Sequence, residues 1–277
     1  MLVLGNATRG QFVLGPTGAR SAGMGDCGVA LYDLHSATLN IAAGARLVQP
    51  QIALSYRQDF MLSQLSYKSV SGSYTFRRSR REGGNSDLVP NHYGTIVAQY
   101  THYGSSTYDE QQASLGYALS ISRMLSLGIE LDYLHSGASL AGYGSNVVTC
   151  SLGLQFYPSS RLTVGAAVFN PLFVKANTTL VATHVPVDFR IGVAYRLLQP
   201  LLATIEVEKN IYETAALRCG LEYTYNDWLF ARVGMATGPM TLSAGVGVMR
   251  PHFGIDLALR YHTILGLTPQ ATLLYRF

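Results

Sequence analysis

The feature that most constrains this chain is a residue-by-residue alternation of apolar and polar side chains that recurs from Gln49 to Phe277. Leu125, Leu127, Ile129, Leu131 and Tyr133 alternate with Ser126, Gly128, Glu130 and Asp132. Val187, Phe189, Ile191, Val193 and Tyr195 alternate with Asp188, Arg190, Gly192, Ala194 and Arg196. The final stretch does the same, with Ala271, Leu273, Tyr275 and Phe277 on one face and Gln270, Thr272, Leu274 and Arg276 on the other. Strand side chains alternate with period two, so each segment is a strand with one greasy and one polar face.

Fourteen such segments can be drawn, near 50–58, 64–76, 93–103, 110–122, 125–135, 146–157, 161–169, 187–197, 201–209, 214–225, 228–236, 241–249, 252–262 and 269–277. The first three alternate least cleanly. An even number of strands of about ten residues is the pattern of a bacterial membrane barrel. The expected fold is therefore all-β: a fourteen-stranded antiparallel transmembrane barrel over residues 49–277, with residues 1–48 as a separate segment inside the lumen. Tight turns are expected at 123–124, 158–160, 198–200, 226–227 and 250–251, and longer loops opposite, at 136–145 and 170–186. That asymmetry places both chain ends in the periplasm. Tyr275 and Phe277 then lie on the barrel-closing strand at the membrane interface.

Composition agrees. Charged residues make up 13% of the chain, against roughly 25% in typical soluble domains. No apolar run reaches the ~18 residues of a transmembrane helix. The net charge of +4 is partly concentrated in one connection, where Arg77, Arg78, Arg80 and Arg81 form a basic turn on the periplasmic side. It suits a solvated loop, or contact with an acidic partner or anionic headgroups, and gives no reason to expect nucleic acid. Cys27, Cys150 and Cys219 show no metal or redox spacing and read as small apolar residues. Residues 1–7 are too short for an export signal, so a precursor carrying one is expected.

A charge facing lipid at midplane costs ~2–4 kcal/mol for Arg. The alternation puts Glu130, Asp132, Asp188, Glu206, Glu208, Glu222 and Asp256 on the inward face, with Arg190, Arg196, Arg218, Arg232, Arg260 and Arg276. The near balance of acids and bases predicts ion pairs across a polar lumen. No nucleophile–base or metal spacing accompanies them, so no enzymatic activity, cofactor or metal is expected.

Residues 1–48 do not alternate and are rich in small side chains. Gly23, Gly25 and Gly28 match G-x-G-x-x-G, but the strand, helix and βαβ unit that fingerprint requires cannot be drawn around them. Close backbone packing is the better reading. Gly18-Ala19-Arg20, Gly23-Met24-Gly25 and Asn40-Ile41-Ala42-Ala43-Gly44, with Pro186–Tyr195, Leu221-Glu222-Tyr223 and Tyr275-Arg276-Phe277, resemble the PorV/PorQ group of the FadL-like outer-membrane barrels. Asp26-Cys27 departs from the group's usual small pair, and Ile41 replaces a proline. The resemblance implies a Bacteroidota outer-membrane protein whose hatch motif is Gly18, Ala19, Arg20, Gly23, Met24, Gly25, Asn40 and Gly44. It also implies protein partners, in a docking or accessory role in type IX secretion and surface attachment. The alternative it carries is a FadL-like transporter of hydrophobic small molecules. The charged lumen leads us to expect the first.

Overall fold

The computed structural model describes residues 18–77, 92–138, 143–176 and 183–277. Fourteen antiparallel strands close into one barrel: β1 (Gln51–Gln58), β2 (Ser66–Arg77), β3 (His92–Gly104), β4 (Tyr108–Ser120), β5 (Leu125–Ala138), β6 (Tyr143–Ser159), β7 (Leu162–Phe169), β10 (Asp188–Leu198), β11 (Leu201–Asn210), β12 (Ala216–Tyr225), β13 (Leu229–Ala236), β14 (Thr241–Met249), β15 (Phe253–His262) and β16 (Gly266–Arg276). Two-residue strands β8 (Lys175–Ala176) and β9 (Thr183–His184) form a separate small ladder in the β7–β10 connection. Every segment anticipated from the alternation forms a strand, the three least regular included.

Closure is made by β1 and β16, where Gln51 pairs with Arg276 and Arg57 with Gln270. Phe277 donates its backbone N–H to the Pro50 carbonyl at 3.0 Å, and its ring meets Tyr275 edge-on. A closed barrel leaves no unpaired sheet edge, so its strand backbone can lie in a bilayer without unsatisfied groups. The outward positions are mostly apolar, with Leu131, Ile191, Ile205, Val233, Leu257 and Leu273 all exposed.

One rim carries both Gln51 and Arg276 and the connections 121–124, 160–161, 199–200, 226–228 and 250–252; we call it the terminal rim. The opposite, loop rim is less extended than the sequence suggested. β5 and β6 run on until only 139–142 separates them, and 105–107 and 263–265 are also brief. The longest connections of the loop rim are 59–65 and 170–187, while residues 78–91 join β2 to β3 on the terminal rim. The basic turn lies outside the described residues from Arg78 to Arg81, and only the backbone of Arg77, at the end of β2, is described.

The buried apolar core sits within the barrel. Residues 18–48 fold as α1 (Ala19–Gly23), α2 (Leu34–Ala37) and a 3-10 turn (Ile41–Arg46). Their side chains pack on inward wall residues such as Ala53, Val97, Ala118, Ala194 and Ala258. Asp33 caps α2 and Asn40 caps the 3-10 turn, each accepting from a backbone N–H two or three residues on. These short turns owe their stability to the wall around them, since isolated helices of this length do not persist in water.

Candidate functional site

The lumen is filled by residues 18–48, and the contacts differ along the segment. Residues 18–33 dock by charge. The Arg20 guanidinium donates to both carboxylate oxygens of Glu222 at 2.6 and 2.8 Å and to Asp33 at 2.7 Å. Glu222 also accepts from Arg232 at 2.7 Å, and Arg232 continues to Asp256. Asp26 is the second hub: it accepts from Arg218 at 3.3 Å and from Arg260. From Arg218 the network runs through Glu208 to Arg190, which pairs with Asp188, Glu206 and Glu208 at 2.9, 3.3 and 2.7 Å. From Arg260 it reaches Asp59, 3.7 Å away, and then Arg57. Glu206 also accepts the backbone N–H groups of Gly28 and Val29 at 2.8 and 2.9 Å.

Local conformation delivers Asp26 to this position. Gly25 and Asp26 both have positive φ, 71° and 63°, and Asp tolerates that region better than most side chains. A side chain on Gly25 would run into the Cys219 and Met235 carbonyls. Burial pushes the Asp26 carboxyl up, but the charges of Arg260 and Arg218 outweigh it and hold it below its ordinary value. Asp33 behaves alike: Arg20 overcomes the effect of burial. His35, also buried, is pushed down by burial against the opposing charges of Asp33 and Asp256, and neither ring nitrogen has a hydrogen-bond partner among the described residues.

Residues 34–48 dock without ion pairs among the described residues; their one arginine, Arg46, donates to the Arg123 carbonyl at 2.7 Å and lies over the Tyr157 ring. Ile41 lies over Gly116 and Gly128, and Gly44 fits against Val97 and Ala118. Thr75 donates its hydroxyl to the Leu47 carbonyl at 2.9 Å. Asn40 ties the two parts together, donating to the Val29 carbonyl at 2.7 Å and to Leu154 of β6 at 3.1 Å.

Each residue of the expected hatch motif touches the wall or braces the segment. Gly18 leaves room for His35; Ala19 donates its N–H to Thr272 at 3.0 Å. Gly23 faces Gly245, Met24 faces Gly220 and Gly234, and Gly25 donates to Ser243 at 2.9 Å. Gly23 and Gly25 are thus used for close approach to the wall. Cys27 is buried, which pushes its thiol up to about 12, and all three cysteines are free.

Of the thirteen expected lumen charges, Asp188, Arg190, Glu206, Glu208, Arg218, Glu222, Arg232, Asp256 and Arg260 are joined through ion pairs. Four are not. Arg196 donates to the Gln199 carbonyl at 3.0 Å on the terminal rim, and Arg276, at the same rim, forms no ion pair among the described residues. Glu130 and Asp132 are buried with no base beside them; Asp132 accepts from Gln112, Ser114 and Ser151 instead. The expectation of ion pairing was therefore too broad, because inward orientation alone does not put a base within reach.

Missing from the sequence reading were Asp26, Asp33, Arg57 and Asp59, together with a wall of inward glycines. Gly128 pairs across strands with Gly153, Gly165 with Gly192, and Gly220 with Gly234. A side chain on Gly153 would strike Asn40, on Gly165 the Val29 carbonyl, and on Gly234 the Gly25 backbone. The signal was available, since alternation puts all six on the polar face. A cavity of about 50 Å³ remains beside Thr38, Ile41, Gln99, Glu130, Asp188 and Arg190.

No family model matches this sequence, and no curated protein matches it. Solved structures do. The Ralstonia pickettii toluene transporter TbuX superposes with a TM-score of 0.66 at 14% identity, over 95% of this chain and 98% of that one. A Pseudomonas aeruginosa FadL homologue gives 0.70 at 12%, over 97% and 100%. Omp33, an outer-membrane protein of Acinetobacter baumannii, gives 0.52 at 10%, over 83% and 98%. At such identities the likeness establishes a shared fold: this chain is a fourteen-stranded barrel of FadL-like architecture.

Proposed function

We propose that this protein is an outer-membrane barrel that passes small hydrophobic molecules, with both termini in the periplasm and residues 18–48 as its hatch. The observation that carries the reading is the superposition on the toluene transporter TbuX over nearly the whole of both chains. Among the structures that superpose, TbuX is described as a toluene transporter and CymD as a monoaromatic hydrocarbon channel. They lend no support to the docking role in type IX secretion expected from the resemblance to PorV/PorQ, and the transporter alternative replaces it.

The lumen adds a condition. The cavity among the described residues beside Ile41, Glu130 and Arg190 is about 50 Å³, whereas an apolar cavity that admits benzene measures ~150 Å³. A monoaromatic molecule therefore crosses only after the hatch shifts. The charged half is the part built to let go: ion pairs tolerate rearrangement into water, because each released group can be hydrated. The test is uptake of labelled toluene by cells of an outer-membrane-impermeable strain expressing the barrel. Faster uptake than in cells with empty vector is expected. Equal uptake, with the folded barrel present in the outer membrane, would overturn the reading.

A further inference from the structure

The outward wall carries a second feature, unrelated to the lumen. Ala271 of β16 pairs with Tyr56 on one side and Leu257 on the other. A small side chain between large ones leaves a groove of about 660 Å³ on the lipid-facing surface, walled by Leu54, Val70, Tyr100 and Leu273. Lys68 and His102, directly paired across β2 and β3, stand at its loop-rim end.

Lys68 is out of character there. It is an exposed outward residue between buried Tyr67 and Ser69, on a wall whose other outward strand positions are almost all apolar. Its ammonium has no acceptor among the described residues, whereas Lys209, the other outward lysine of the described strands, donates to the Glu213 carbonyl. Tyr56, its cross-strand partner, marks the aromatic level where bilayers meet water. An apolar groove that ends in a cation at this depth complements an acyl chain that ends in a phosphate.

We propose that this groove binds the phosphorylated glycolipid of the outer leaflet, lipid A, with an acyl chain along Ala271 and a phosphate on Lys68. The assignment to that leaflet rests on the outer-membrane orientation proposed above. The experiment is native mass spectrometry of the full-length barrel released from detergent, with lipid A or phosphatidylglycerol added at matched concentrations. Wild type should retain lipid A. Lys68→Ala should weaken retention about five-fold, the equivalent of the ~1 kcal/mol that one lysine contributes at a membrane surface, while Lys209→Ala should not change it. Unfolding of each variant on heating in gels confirms that its barrel is formed. Equal retention by wild type and Lys68→Ala would overturn the site. Phosphatidylglycerol retained as strongly, with the same Lys68 dependence, would overturn its assignment to lipid A. Fractionation of the native protein with membranes other than the outer one would sink the orientation and the assignment with it; correct fractionation without Lys68-dependent retention would sink the site alone.

Discussion

The two halves of residues 18–48 solve the same problem by opposite means. Residues 18–33 meet β10–β16 through Arg20, Asp26 and the carboxylate of Glu206, and β6 and β7 through the Val29 and Leu31 backbone. Residues 34–48 meet β2–β6 through Ile41, Gly44 and hydroxyl–carbonyl bonds. The apolar packing of Ile41 and Gly44 responds little to pH or charge, and His35, at the start of this half, is its titratable exception. Buried ion pairs are different: their formation costs desolvation of both partners, and loss of one leaves the other stranded. On the hatch reading proposed above, residues 34–48 would be its fixed end and residues 18–33 its releasable end.

The largest effect is expected where the wall allows no side chain at all. Gly165→Val must displace Val29, and Gly234→Val must displace Gly25. Both variants should close their barrels yet expose residues 18–48 to protease. Gly72→Ala, where a Cβ meets only the Gln51 carbonyl at 3.5 Å, should behave as wild type. Retained protection in Gly165→Val would break the claim that wall glycines seat the segment.

Next come the hubs. Asp26→Ala removes one carboxylate partner from each of Arg218 and Arg260, and Glu222→Ala removes one from each of Arg20 and Arg232. Each should weaken docking of the charged half by on the order of 3 kcal/mol, the cost of breaking a buried pair. Hydrogen exchange should rise over residues 18–33 and stay near wild type over 41–47. A uniform rise would erase the distinction between the halves.

Acid should act in two steps. His35 is held below its ordinary value in the docked state, so the released state binds a proton first, and docking weakens as pH falls below about 6.5. Asp26 and Asp33 are held below their ordinary 3.8, so their contribution persists through that range and is lost only as pH falls through the lowered values. Protection measured between pH 7 and 5 should decline in wild type and stay level in His35→Leu. The smallest effect belongs to Arg196→Gln at the terminal rim, within about 0.5 kcal/mol of wild type by thermal denaturation.

The barrel was legible in the sequence because a membrane wall shows its two faces in every strand. Depth was not legible. Alternation sends Arg196 and Arg276 inward as surely as Arg232, but height along the barrel decides which of them finds a carboxylate. Height depends on the stagger between strands, which no single strand records. Asp26 stood out as a departure from a family pattern. Its role depends on Arg218 and Arg260, 192 and 234 residues away, and only closure brings them together. The glycines were visible one at a time; their alignment into facing pairs is a property of register.

The most direct test of the account is toluene uptake into proteoliposomes containing wild type or the double variant Asp26→Asn, Glu222→Gln, compared with protease protection of residues 18–33 in the same preparation. If the charged half is the releasable end of a gate, the double variant loses protection and takes up toluene faster than wild type. Loss of protection with uptake unchanged would contradict the account, because the segment would then have moved without opening a path.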